Sequence, residues 1–135
     1  MIVVDTNVLA YLYLPTKYTP HAEKLLEIEP MWVAPYLWRS EFRNVLALYL
    51  RKEIISYDKA LQIQSEAETL MSGNEYDVKS LNVLSLVKQG RCSAYDCEYV
   101  SLAMSLESKL FTMDKKVVAE FPSIAQSLRS VGDQA

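Results

Sequence analysis

Four acidic residues of this chain occupy positions at which a carboxylate can bind a cation or take part in catalysis. Asp5 and Asp114 each follow a short apolar run. Asp96 stands three residues after Ser93, in the pattern that opens a helix. A helix cap, worth roughly 1 kcal/mol, would explain each of these three when taken singly. Glu41 differs, because it lies among apolar positions of a predicted helix, where an unpaired carboxylate costs several kcal/mol.

A partner for Glu41 is therefore expected. It is either a buried Arg, Lys, Ser or Thr side chain, or a cation shared with the other three acids. Two carboxylates about 4 Å apart repel by roughly 4 kcal/mol at an effective dielectric near 20, so a cluster of four needs protons or cations. Oxygen ligands without histidine or thiolate favour Mg²⁺ or Mn²⁺. The chemistry that follows is attack of metal-activated water on a phosphodiester.

The hydrophobic pattern predicts the elements that would bring these acids together. Short apolar runs predict strands at 2–4, 31–34 and 109–112, with a weaker candidate at 75–78. Helical spacing predicts helices at 8–14, 21–28, 56–71, 81–87, 93–106 and 115–120. The tail from 122 onward fits either a short helix or a final edge strand. Strands that alternate with helices predict a mostly parallel sheet, whose strands end at one shared edge.

The long helix predicted from Pro35 to Lys52 carries Glu41. Pro35 suits the first helical position, because its missing N–H would be unpaired there. At 100° per residue, one arc of this helix is apolar and contains Leu37, Trp38, Phe42, Val45, Leu46, Leu48 and Tyr49. Glu41 falls inside that arc and Asn44 at its edge, whereas the opposite side carries Arg39, Ser40, Arg43 and Arg51.

Composition limits the other possibilities. The chain has 135 residues, the size of one domain, which we take as 1–135. Its 14 basic and 17 acidic residues give a net charge of -3, so any contact with nucleic acid must be local. One histidine and two cysteines exclude a plausible zinc set, and buried thiols are expected instead. With neither a membrane-length apolar run nor a signal segment, we expect no membrane partner and a cytoplasmic location.

Four segments, in this order, resemble the acidic motifs of PIN-domain nucleases, and in particular of small VapC-type toxins. They are Val3–Asn7, Ser40–Asn44, Tyr95–Ala103 and Phe111–Asp114. The resemblance covers nearly the whole chain. It implies a three-layer α/β sandwich whose mostly parallel sheet of four to five strands is flanked by helices. It also implies an endoribonuclease dependent on Mg²⁺ or Mn²⁺, an RNA substrate, a homodimer and, for a toxin, a cognate antitoxin.

The resemblance also assigns roles to individual positions. Asp5 and Asp96 would bind metal directly, while Glu41 and Asp114 would complete the catalytic site directly or through water. Side chains that would support these carboxylates are Thr6, Asn7, Asn44 and Thr112. Many relatives have a further acid after the last motif, where this chain has Lys115 and Lys116.

Substrate contacts are assigned to charges near the motifs. Lys115, Lys116 and Arg43 are the candidates for contacting phosphates, and ordinary solvated surface is their alternative role. The aromatic residues Trp38, Tyr49, Tyr95 and Tyr99 are expected to pack in the core or in a dimer interface rather than stack on bases.

Two other functions fit parts of the pattern. A non-catalytic PIN fold could bind RNA or protein, although a scaffold has no reason to keep a mutually repelling cluster of acids. A phosphoaspartyl phosphohydrolase or receiver-like domain also places an Asp at a strand end. Such a domain usually has a second Asp beside the first, and the segment Asp5-Thr6-Asn7 lacks one.

Overall fold

A five-stranded parallel sheet forms the centre of the computed structural model, which describes residues 1–132. The strands are β1 Ile2–Val4, β2 Trp32–Pro35, β3 Glu75–Tyr76, β4 Leu110–Thr112 and β5 Ala125–Ser127. The helices are α1 Thr6–Tyr13, α2 Thr19–Ile28, α3 Leu37–Arg51, α4 Tyr57–Met71, α5 Ser80–Val87, α6 Ala94–Ser105 and α7 Lys115–Glu120. A 3₁₀ turn, Leu128–Ser130, follows β5. The α/β fold predicted from the sequence is confirmed.

The strand order places β1 in the middle of the sheet. The order is β3-β2-β1-β4-β5, and Val3 pairs with Val33 on one side and with Leu110 on the other. The chain first builds outward from β1 to β3 and then returns to the far side of β1 to form β4. The order therefore reverses between β1 and β4, and in open α/β sheets a reversal of this kind opens a crevice at the carboxyl ends of the strands.

Helices cover both faces of the sheet, which explains why its three central strands are buried throughout. Every residue of β1, β2 and β4 is buried, as is typical of parallel strands covered on both sides. Right-handed crossovers place α1 to α4 on one face and, after the reversal, α5 and α6 on the other. Helix α6 packs across β1, β2 and β4, and α3 and α4 pack against β2.

Two details differ from or extend the sequence prediction. Pro35 is the last residue of β2 rather than the first residue of α3, so the prediction for Pro35 was wrong. Ala34 donates its N–H to Asn74, directly before β3, and Tyr36 donates to Tyr76. The nitrogen of Pro35 therefore faces the other neighbour, where pairing of β1 with β2 has already ended at Val33. The missing N–H costs nothing there. Of the two forms considered for the tail, the edge strand is present, as β5.

The two cysteines are buried free thiols, as expected. Burial, together with the neighbouring Glu120 carboxylate, raises the pKa of the Cys92 thiol to about 12. A thiol with such a pKa stays protonated and is a poor nucleophile.

In the described part of the chain, no helix combines the length and the apolar character needed to cross a bilayer.

Candidate active site

A pocket of about 520 Å³ lies at the carboxyl edge of the sheet, beside the reversal of strand order. All four acids predicted from the sequence line it. The lining residues are Asp5, Thr6, Asn7, Leu37, Ser40, Glu41, Asn44, Val45, Tyr95, Asp96 and Asp114. Among the described residues that line this pocket, none carries a positive charge. The pocket therefore concentrates negative charge without an internal counter-ion.

Hydrogen bonds from α1 and from β4 hold the Asp5 carboxylate in place. One carboxylate oxygen, Oδ1, accepts the N–H of Thr6 at 2.8 Å, so Asp5 also caps α1. The other, Oδ2, accepts the hydroxyl of Thr112 at 2.7 Å and the amide of Asn7 at 3.4 Å. Burial, with a smaller contribution from the charge of Glu41, raises the pKa of Asp5 to about 7 against the opposing effect of the Thr112 hydrogen bond. At neutral pH this carboxyl group is therefore poised between its two protonation states.

Glu41 has the partner that its position on α3 required. Its Oε1 accepts the Tyr99 hydroxyl at 2.6 Å and the Thr6 hydroxyl at 3.0 Å. A buried threonine was among the expected partners, and the tyrosine was not. Tyr99 had been assigned to packing, and at 2% exposure it is a core residue whose hydroxyl nevertheless reaches the pocket wall. The available signal was its position three residues after Asp96, which puts both on the same side of a helix.

Asp96 and Asp114 each lie at the start of a helix and line the pocket. Ser93 caps α6 by accepting the N–H of Asp96 at 3.1 Å, which confirms the predicted start of this helix. Asp114 caps α7 by accepting the N–H of Lys116 at 2.9 Å. Burial raises the pKa of Asp96, and the charge of Asp114 raises it further, whereas Lys116 acts in the opposite direction. The two carboxylates therefore interact across the pocket.

Asn7 and Thr112 connect β1 and β4 beneath the pocket. The Thr112 hydroxyl donates to Asp5 and accepts the N–H of Asp114 at 3.0 Å. Asn7 accepts the N–H of Met113 at 3.2 Å, while its amide lies 3.5 Å from the Thr112 hydroxyl. Both side chains therefore contact an acid of the pocket or the segment that carries one. Asn44 lines the pocket from α3.

The loop that leads into α6 is fixed by the end of α7. Glu120 accepts the N–H groups of Arg91 at 2.6 Å and of Cys92 at 3.2 Å. Those bonds lower the pKa of Glu120, so its carboxylate is ionised at neutral pH. A Cβ atom on Gly90 would meet the Glu120 carboxylate, which would have to shift away from these two N–H groups. Glu120 therefore helps to set where α6, and with it Asp96, begins.

The basic residues considered for substrate binding do not line the pocket. Lys115 and Lys116 are exposed on the first turn of α7, beyond Asp114. Arg43 is exposed on α3, where it donates to Ser40, and it lines a separate apolar groove between α3 and α4. Contacts of Lys115, Lys116 and Arg43 with phosphate stay predictions.

The donor set of the pocket fits a hard divalent cation. It consists of four carboxylates with hydroxyl and amide oxygens nearby, and it has neither thiolate nor imidazole. Within residues 1–132, no group of three or more His, Cys, Asp or Glu side chains is arranged to hold a metal ion as it stands. Mutual repulsion favours separation of carboxylates that lack a cation. Binding would therefore require some of these side chains to move toward the others.

The strand order and the acidic pocket define a class: a doubly wound α/β protein with a carboxylate-lined crevice at its topological switch point. Within that class, residues 2–123 match the family described as PIN domain, and the chain belongs to this family.

Individual relatives agree with this assignment. The chain is 28% identical to the protein named Ribonuclease VapC3 from Pyrobaculum aerophilum, over 91% of this chain and 96% of that protein. The crystal structure of PAE2754 from Pyrobaculum aerophilum has a TM-score of 0.74 at 21% identity, over 96% of this chain and 91% of that one. A toxin–antitoxin complex from Klebsiella pneumoniae contains a chain with a TM-score of 0.70 at 15% identity, over 95% of this chain and 98% of that one. At these identities the two structures show a shared fold.

Proposed function

We propose that this protein is an endoribonuclease that hydrolyses RNA phosphodiester bonds with the help of Mg²⁺ or Mn²⁺. The observation that carries the proposal is the pocket itself, in which Asp5, Glu41, Asp96 and Asp114 converge without a positive charge among the described lining residues. A set of capping aspartates would explain three of these residues, but it would not explain why the four meet in one pocket. The relative named Ribonuclease VapC3 supports the same activity.

The four carboxylates have different tasks in this proposal. Asp5 and Asp96 bind the cation directly, and Glu41 and Asp114 complete the site directly or through water. When bound, the cation supplies an activated water and stabilises the leaving oxygen. Thr6, Asn7 and Thr112 orient the acids through the hydrogen bonds described above. Asn44 is placed to orient water or substrate from α3.

One wall of the pocket suits a nucleobase better than a phosphate. Leu37, Val45 and Tyr95 contribute apolar surface beside the acids, and Tyr95 is 62% exposed. Tyr95 is therefore outside the core, unlike Tyr99, and an unpaired base can stack on its ring. The scissile phosphate would meet the carboxylates through the bound cation, whereas flanking phosphates would be held by Lys115 and Lys116 beyond Asp114, with Arg43 farther along α3.

A role as the toxin of a toxin–antitoxin pair is the second part of the proposal. Its support is the similarity to the protein named VapC3 and to a chain of the Klebsiella pneumoniae toxin–antitoxin complex. In this role the protein is a homodimer that acts on cytoplasmic RNA and is inhibited by a cognate antitoxin. Induced expression in a bacterial host should arrest growth, and an Asp5→Asn variant should not. Equal growth arrest by both would contradict the toxin role for this site.

The nuclease activity is tested by incubating labelled RNA with the purified protein, with and without Mg²⁺ or Mn²⁺. Wild type should cleave only with the divalent cation, and Asp5→Asn and Asp96→Asn should each lose at least about 100-fold in rate. Asp58→Asn is the matched control, because Asp58 is an exposed aspartate in the first turn of α4, outside the pocket. Equal cleavage by wild type and both pocket variants would refute the assignment of the site. Binding of RNA without cleavage would instead indicate a non-catalytic PIN fold.

A further inference from the structure

We propose that Tyr99 is a positioning residue, whose hydroxyl holds the Glu41 carboxylate in the one orientation that serves the cation. The proposal rests on the proposed nuclease function, and it concerns a residue that lies within the third acidic motif but to which the resemblance assigns no role in the site. Tyr99 contacts neither substrate nor cation in this arrangement. It acts through Glu41.

The contacts of Glu41 are concentrated on one of its two oxygens. The Tyr99 hydroxyl lies 2.6 Å from Oε1, and the Thr6 hydroxyl lies 3.0 Å from the same atom. The two hydroxyl oxygens are themselves 2.7 Å apart, so the three groups form a closed triangle in which two hydroxyl protons are shared among three short contacts. Within residues 1–132, Oε2 has no hydrogen-bond partner. Because Glu41 lines the pocket, Oε2 is the oxygen that is left for a cation or its water.

This triangle restricts a side chain that would otherwise be mobile. A glutamate on a helix surface samples several rotamers, and ordering it costs conformational entropy. Tyr99 and Thr6 are 2% and 5% exposed, so both donors are fixed by the surrounding core. Donors that are held this rigidly select one carboxylate orientation before the cation arrives, which is how supporting groups increase the affinity of a metal site.

The same contacts join three helices, two of which carry an acid of the pocket while the third begins directly after one. Tyr99 belongs to α6, which bears Asp96, and Thr6 is the first residue of α1, directly after Asp5. Glu41 belongs to α3. The Tyr99 hydroxyl therefore helps to fix the positions of Asp5, Glu41 and Asp96 relative to one another. A phenylalanine at this position would fill the same space in the core but would lose this connection.

The test compares Tyr99→Phe with wild type in two measurements, the affinity for Mn²⁺ by titration calorimetry and the steady-state cleavage of RNA. We expect Mn²⁺ binding to weaken by roughly 10- to 100-fold, with kcat reduced and KM for RNA unchanged at a given Mn²⁺ concentration. Tyr13→Phe is the matched control, because its hydroxyl donates to the Glu66 carbonyl away from the pocket. That variant should bind Mn²⁺ like wild type.

A double-mutant cycle separates positioning from a general effect on folding. In a Glu41→Gln background, Tyr99→Phe should cause no further loss of Mn²⁺ affinity, because the group through which it acts is already altered. Additive losses would overturn the proposal and assign Tyr99 a structural role only. Unchanged Mn²⁺ affinity in Tyr99→Phe would also overturn it, while cleavage by wild type would leave the nuclease function standing. A wild type that neither binds Mn²⁺ nor cleaves RNA would overturn both.

If Tyr99→Phe does not fold, Thr6 carries the test. Thr6→Val removes the second hydroxyl on Oε1 with little change in shape, and Thr6→Ser keeps that hydroxyl. We expect Thr6→Val to weaken Mn²⁺ binding and Thr6→Ser to restore it. Equal affinities for these two variants would overturn the positioning role of the triangle.

Discussion

The carboxyl group of Asp5 makes the stability of the cation-free protein depend on pH. Its pKa rises from 3.8 to about 7 on folding, chiefly through burial. Between these values the folded carboxyl group holds a proton that the unfolded one has released, so stability falls as the pH rises from about 4 towards 7 and then levels off. Each pKa unit corresponds to about 1.4 kcal/mol, which gives at most about 4 kcal/mol in total.

An Asp5→Asn variant should lack this dependence. From pH 5 to pH 8 in EDTA, wild type should lose roughly 2 kcal/mol of unfolding free energy relative to the variant. Urea denaturation at a series of pH values measures the difference. Asp58→Asn, which changes an exposed aspartate, should follow the wild-type curve. If the Asp5→Asn curve also ran parallel to wild type, the raised pKa of Asp5 would be contradicted.

Single residues also show what the sequence could and could not predict about the site. The apolar arc around Glu41 was enough to predict that this carboxylate needs a partner, because an unpaired charge there is costly. It could not identify Tyr99, since a tyrosine among Cys97, Val100 and Leu102 looks the same in sequence whether or not its hydroxyl is used. Which hydroxyl reaches which carboxylate depends on how α6 crosses the sheet, and periodicity contains no such information.

Helices and strands were easier to predict than their exact ends. Apolar runs located the three strands β1, β2 and β4 because parallel strands covered on both faces must be apolar throughout. Pro35 was misplaced because a proline suits both the first turn of a helix and a strand position without a pairing N–H. The choice between them depends on where β1 stops pairing with β2, and these two strands are far apart in the sequence.

Strand β3 has only two residues, and a network of charges holds it against α3 and α4. Arg39 donates twice to Glu75, at 2.5 Å and 2.8 Å, and once to Glu68 at 3.0 Å. Trp38 donates to the same Glu75 carboxylate at 2.8 Å. The Glu75 side chain is only 6% exposed, and the Arg39 guanidinium lowers its pKa. The sequence had placed Arg39 on the solvated side of α3, whereas it is the main partner of a buried acid.

Removal of Arg39 should therefore destabilise the protein more than an ordinary surface substitution. We expect Arg39→Ala to cost roughly 2 kcal/mol at pH 7, below the value for a fully buried pair because the arginine is partly exposed. Arg39→Lys should give an intermediate loss, since it keeps the charge but not the paired geometry. The loss should shrink as the pH falls through the lowered pKa of Glu75, because protonation removes the same interaction from wild type.

The matched control is Arg51→Ala, an exposed arginine in the last turn of the same helix. Its substitution should change the unfolding free energy by no more than about 0.5 kcal/mol. Chemical denaturation of the three variants at pH 7 and at a series of pH values from 4.5 downward provides the comparison. Equal losses for Arg39→Ala and Arg51→Ala at pH 7 would show that the network does not stabilise β3.

The charge of the whole molecule limits how it can hold a nucleic acid. With a net charge of -3 and an acidic pocket, the protein has no general attraction for a polyanion. Binding must then depend on a few local contacts, for which Lys115 and Lys116 at the start of α7 are the nearest exposed candidates beyond Asp114. The salt dependence of binding measures how many phosphates are neutralised, because each contact with a single strand contributes about -0.7 to the slope of log K against log salt.

Two or three such contacts predict a slope of about -2 for single-stranded RNA, measured in EDTA with the cleavage-deficient Asp5→Asn protein. In that same background, Lys116→Gln should weaken binding and make the slope shallower by about 0.7, because one phosphate contact is lost. Lys59→Gln, an exposed lysine on α4, should leave the slope unchanged. A slope that Lys116→Gln did not alter would show that the RNA backbone does not cross the start of α7. A slope steeper than about -5 would require a basic surface elsewhere on the protein, which a net charge of -3 makes difficult to assemble.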